Sequence, residues 1–223
     1  MSTFDRNSNI RYAAAGARAE AGVYDEGLRA YMLGVYNYMA IGLAITGAMA
    51  LATFYMAVEQ TAGGMALTAF GQAIYMSPLK WVVMLAPLAA VFFLSFKIQS
   101  MSASAAQMTF WVYAAIMGVS LSSIFLVFTG ESITRVFFIT AASFGALSLY
   151  GYTTKKDLSG WGSFLFMGLI GIIIASLVNM FIGSSAIQFA VSVIGVLVFA
   201  GLTAYDTQQI KEMYFEGDSS EVA

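Results

Sequence analysis

The stretch AIQFAVSVIGVLVFAGLTAYDTQQIK, Ala186 to Lys211, decides the fold. From Ala186 to Ala204 it carries no Asp, Glu, Lys or Arg, and that run approaches the ~20 residues an α-helix needs to cross a bilayer. Its apolar residues fall all round the helix rather than alternating, which excludes a porin-like barrel. Asp206 then stands where apolar sequence gives way to Gln208, Gln209 and Lys211. An acid at the centre of a membrane helix costs roughly 3 kcal/mol on insertion scales and less toward the ends, so it faces protein or water rather than lipid. Two readings stand side by side. The helix ends near Ala204 and Asp206 is a solvated interfacial residue, which position alone favours. Or the helix runs on, since an acid is unwelcome at a helix C-terminus and Ile210, Met213 and Tyr214 continue an apolar face at helical spacing. Asp206 then lies inside the membrane domain.

Composition extends that reading to the whole chain. Of 223 residues 60% are hydrophobic and 10% charged, and the mean hydropathy is +0.79. This is an all-α integral membrane protein whose first partner is the lipid bilayer. Ten basic residues against 12 acidic ones make no electrostatic case for nucleic acid. With neither Cys nor His there is no thiolate nucleophile, no metal site of the usual zinc kind and no Ser-His or Cys-His pair. No cofactor is expected, and no catalytic residue. An intramembrane aspartyl protease shares a proton between two carboxylates, and Asp206 has no second membrane acid beside it.

The N-terminal 1–29 reads as a polar cytosolic tail, weakly ordered or partly helical along the membrane surface, and not as a signal peptide, because the first apolar run begins only at Tyr31. The transmembrane domain is 30–214 and forms a bundle of six helices. Its apolar blocks run from about Ala30 to Val58, Lys80 to Ile98, Ala105 to Thr129, Arg135 to Tyr152, Gly160 to Ile182, and Ala186 to Tyr214. A Gly/Ala-rich connection, Ala62 to Ser77, is long enough to line a surface, and Pro87 gives the second span a place to bend. The final 215–223 is an acidic tail.

With the N-terminus in the cytosol, Arg6, Arg11, Arg18, Arg29, Lys97, Lys155, Lys156 and Lys211 fall on the cytosolic side and only Lys80 and Arg135 outside, which fixes the orientation. Small residues suit close helix packing: Gly118 and Ser122, Ala141 and Gly145, and Gly168, Gly171 and Ala175. Ser176 and Asn179 share a face of the fifth span and are expected to bond across helices, with Thr203 a further polar contact beside Asp206.

The segment Thr154-Lys-Lys-Asp-Leu-Ser159 with Trp161 and Ser163-Phe-Leu165, then Asn179-Met-Phe181, Ser192-Val-Ile-Gly195 and Tyr205-Asp-Thr-Gln-Gln-Ile-Lys211, resembles the Bax inhibitor-1 family in its bacterial form. The match is firm over Thr153 to Lys211 and architectural before that. The resemblance implies a central hydrophobic helix surrounded by the others, an inner or plasma membrane location, and a pH-sensitive leak for which calcium is the permeant. It makes Asp206 the pH sensor of the ion pathway. In the family that acid pairs with an Asp of a following seventh helix and can engage a basic residue near the end of the second, where Lys97 stands. Lys97 is equally readable as a snorkelling interfacial lysine. The family pattern has seven spans and this sequence six, so the expectation is either a truncated chain or one without the acid pair, with the exposed sixth span favouring self-association. The alternative function is a non-conducting protein that binds and regulates a membrane protease or stress component.

Overall fold

The computed structural model describes residues 3–61 and 64–214, with side chains from residue 26 onward. Eight helices and one short hairpin occur among them: α1 Thr3–Ala57, β1 Val58–Thr61, β2 Gly64–Leu67, α2 Ala69–Tyr75, α3 Leu79–Lys97, α4 Ala103–Leu121, α5 Ile124–Val127, α6 Gly130–Thr153, α7 Ser159–Ile182 and α8 Ser185–Glu212. Among the described residues, six helical segments are long and apolar enough to span a membrane: Glu26–Ala57, Leu79–Ser100, Ala103–Val127, Gly130–Thr153, Ser159–Ile182 and Ser185–Glu212. This is the all-α multi-pass protein the sequence predicts. The last span runs through Asp206 to Glu212, so the reading in which the helix stops near Ala204 does not hold. The apolar face carried on by Ile210 keeps the helix going.

Of the two expectations for the N-terminal segment, weakly ordered or partly helical, it takes the helical one. Its backbone is helical from Thr3 in one helix with the first span, as a run holding Ala13, Ala14, Ala15, Ala17, Ala19 and Ala21 favours. The acidic 215–223 lie outside the described residues.

The described residues form two compact units, one holding α1 as far as Leu28 with the chain from Thr134 through α8, the other Arg29 to Ile133. In the second unit, close contacts are made by small groups. Thr46 Oγ1 donates to the Ala114 carbonyl at 2.9 Å, and Gly118 lies against the Thr46 carbonyl, Met49 and Ala50. Most bulky side chains point outward, Phe96 being 83% exposed and Phe181 of the other unit 85%. That distribution suits lipid, in which apolar side chains gain nothing by hiding and helices associate through small residues.

The connection 62–77, expected to be long enough to line a surface, holds regular structure from Gly64 onward. β1 and β2 pair antiparallel with Val58 opposite Leu67 and Thr61 opposite Gly64. Thr68 then serves two helices. Its N–H donates to the Ala57 carbonyl at 3.0 Å and its Oγ1 to the Met56 carbonyl at 2.9 Å, closing the end of α1. The same oxygen accepts from the Gly71 N–H at 3.1 Å, starting α2. The third span is interrupted between α4 and α5, where fully buried Ser122 meets Tyr75 Oη at 2.7 Å and donates to the Val119 carbonyl at 2.6 Å. A hydroxyl that bonds its own backbone competes with the helix ladder. By contrast α3 runs unbroken through Pro87.

Candidate functional site

Helical periodicity places Ala204, Thr207, Gln208 and Lys211 on one face of α8, and that face docks on the end of α6 and the α6–α7 loop. The approach is close because α6 offers Gly151: a Cβ there would run into the Ala204 carbonyl and come within 3.0 Å of Thr207 Cβ. On α7, Gly162 leaves room for the ring of Tyr205, whose Cζ would lie 2.6 Å from an added Cβ. Gly168 packs against Val198, while Gly145 and Gly171 face open space.

The polar residues of this face latch the loop. Gln208, buried, donates from Nε2 to the Lys156 carbonyl at 2.9 Å and accepts on Oε1 from the Leu158 N–H at 2.7 Å. One side-chain amide thus satisfies a loop acceptor and a loop donor at once, the demand a buried amide makes. Lys211 Nζ donates to the Tyr152 carbonyl at 2.8 Å and sits 5.4 Å from the centroid of the Tyr152 ring, a cation at the C-terminal end of α6 where the helix dipole favours one. Asp157, exposed in the loop, accepts from the Ser159 N–H at 2.8 Å, and that bond holds its carboxyl below the usual value.

Asp206 takes no part in this latch. It lies on the opposite face of α8, exposed, and makes no hydrogen bond or ion pair among the described residues. Its position is six residues before the end of α8 at Glu212, about 9 Å along the axis. Thr203, one turn earlier and half-buried, gives its hydroxyl to the Phe199 carbonyl at 2.8 Å. The other expected polar contacts are also local. Ser176 Oγ donates to Ile172 of its own helix at 2.8 Å. Asn179 Oδ1 accepts from the Ser184 N–H at 2.9 Å, in the α7–α8 connection at the far end of α8 from Asp206. In a helix the nearest acceptor for a hydroxyl is the carbonyl one turn back, which explains why Ser176 and Thr203 do not cross between helices. Lys97 is the last residue of α3, exposed, in the second unit, where its charge suits the helix C-terminus. Sequence reasoning singled out Asp206 and passed over Gln208. The available signal was the adjacency of buried-type and amide residues at 207 and 208, on the face that Ala204 begins.

Comparison with known proteins decides the family. Residues 28–223 match the family model described as inhibitor of apoptosis-promoting Bax1. The chain belongs to the Bax inhibitor-1 family. Among relatives, a protein of Rickettsia prowazekii is 51% identical over 199 residues, 89% of this chain and 80% of the relative. A protein of Caulobacter vibrioides is 44% identical over 221 residues, 98% of this chain and 87% of that one. The inner membrane protein YbhL of Escherichia coli is 49% identical over 187 residues, 84% of this chain and 76% of YbhL. The Bax inhibitor-1 match takes in all six membrane-length helices almost entirely, with the latch and Asp206 inside it.

Proposed function

We propose that this chain is a passive, pH-sensitive calcium leak of a bacterial inner membrane, with its N-terminal 1–29 in the cytosol. The observation that carries the reading is Asp206: a carboxyl on a membrane-spanning helix, without a partner among the described residues, on the face turned away from the latch. A structural acid in such a segment would be paired, and an unpaired one marks an ion or proton pathway. Membership of the Bax inhibitor-1 family supports the reading, as does the inner-membrane location in the name of YbhL. The basic residues, eight against two across the spans, support the orientation.

In this reading Asp206 is the pH sensor, and Lys97 is a cationic group of the ion pathway. Thr203, Ser176 and Asn179 shape the helices rather than bind the ion. Gain of a proton on Asp206 removes a negative charge from the exposed face of α8 and so biases a two-state helix arrangement. Calcium influx into proteoliposomes of the purified full chain, measured across external pH, tests it. Asp206→Asn keeps size and hydrogen bonding but cannot ionise, and the expected result is the loss of most of the pH dependence. A variant whose flux follows pH as the parent's does moves the sensor elsewhere. A purified parent that passes no calcium at any pH favours the second reading, a membrane interaction protein that regulates a protease or stress component without conducting.

A further inference from the structure

We propose that the α6–α7 loop is a binding surface for the headgroup of an anionic phospholipid, with Lys155 and Lys156 as its charges. The inference starts from the latch. Because the Lys156 carbonyl and the Leu158 N–H are both held by buried Gln208, and the Lys156 N–H donates to Thr154 Oγ1 at 3.3 Å, the backbone carrying the two lysines is fixed from both sides. Their side chains remain exposed and make no ion pair among the described residues. The acid next to them is already committed, since Asp157 turns its carboxylate to the Ser159 N–H at the start of α7. Lys211 is spent on the Tyr152 carbonyl, and the other acids described at this end of the unit are Glu212, exposed at the end of α8, and exposed Glu26, next to the Gly27 that packs against Tyr214.

Two ammonium groups with no ion pair among the described residues, on a hydrogen-bonded loop at the end of membrane-spanning helices, meet the plane of lipid phosphates. The aromatic residues below them give the depth. Trp161 and Phe164, 59% and 67% exposed, stack edge to face with ring centroids 6.4 Å apart within the first two turns of α7, the level at which aromatic rings anchor in the headgroup region. Lysines above and exposed rings beneath match a headgroup phosphate over an acyl chain, and the charge selects an anionic lipid over a zwitterionic one. The latch residue Gln208 is a positioning residue here. It touches no lipid, and it keeps the two ammonium groups from having to be ordered when lipid arrives.

The test uses the purified full chain in neutral detergent, titrated with phosphatidylglycerol or phosphatidylcholine of the same acyl chains. Retained lipid is read by native mass spectrometry and the shift in melting temperature is followed in parallel. The expected result is selective retention of phosphatidylglycerol, weakened about fivefold by each of Lys155→Gln and Lys156→Gln. Both positions are exposed, so these variants keep the fold. Gln208→Leu leaves both lysines in place and lowers the preference without removing it. Equal retention of the two lipids, or retention of phosphatidylglycerol unchanged in the double lysine variant, overturns the proposal. A melting shift reproduced by inorganic phosphate alone assigns the lysines to a soluble anion, and protection of the lysines from acetylation that is the same in both lipids assigns them to an acidic protein segment; either overturns it too.

Discussion

Gly151 and Gly145 lie six residues apart on α6 and differ in everything that matters to a side chain. At Gly151 an added methyl meets the backbone of α8 at Ala204, which cannot rotate away, whereas at Gly145 it meets nothing within 4 Å. Gly151→Ala is expected to cost about 1–3 kcal/mol by forcing α6 and α8 apart. Gly145→Ala is expected to be neutral or to stabilise by up to about 1 kcal/mol through helix propensity. Thermal unfolding of the two variants in one detergent checks the contrast. Asp157 supplies a pH effect outside the membrane. Its folded carboxyl titrates below its unfolded value because the Ser159 N–H stabilises the charge. The contribution is therefore present above the unfolded pKa of ~3.9 and lost as pH falls through the folded one. The protection factor of amides at the start of α7, which removes the intrinsic pH dependence of exchange, should fall in that acid range in the parent and stay level in Asp157→Asn. What sequence could show at this scale was unequal. Asp206 stands out because charge is rare in the run around it, while Gly151 and Gln208 look like their neighbours until a second helix is placed against them.

At the scale of elements, apolar length alone places all six spans, and their ends move by a few residues where caps intervene. The hairpin and α2 were not legible. Strands of four residues each carry too few positions for an alternating pattern to emerge, and the contact that fixes them, Thr68 closing α1, joins two elements that look separate in sequence. Thr68→Val keeps the shape and the backbone bond to Ala57 but deletes both hydroxyl bonds. The expected cost is about 1 kcal/mol, seen as faster amide exchange at Gly71 and Gln72, with exchange in α7 and α8 unchanged. The break at Ser122 was equally hidden, because serines are tolerated in a membrane helix and only the partner Tyr75 shows which one interrupts it.

For the whole molecule, the distribution of Lys and Arg makes a topological prediction that packing does not. Reporter fusions after Lys156 and after Ala223 should both report the cytosol, and an external signal from either would overturn the span count or the orientation proposed here. The abundance of exposed Phe, Leu and Ile was foreseeable from hydropathy. Which small residues touch was not, since spacing alone ranked Gly118, Gly145 and Gly171 alike and only the first has a neighbour.

The latch also imposes an order in time. Gln208 closes on residues 50 and 52 positions earlier in the chain, and Lys211 on one 59 earlier. While the protein is being made, α6 and α7 therefore enter the membrane with the Lys156 carbonyl and the Leu158 amide still served by water. They stay so until nearly all of α8 has left the ribosome, and the loop closes only when α8 has arrived, which makes its closure a mark of the insertion of that helix.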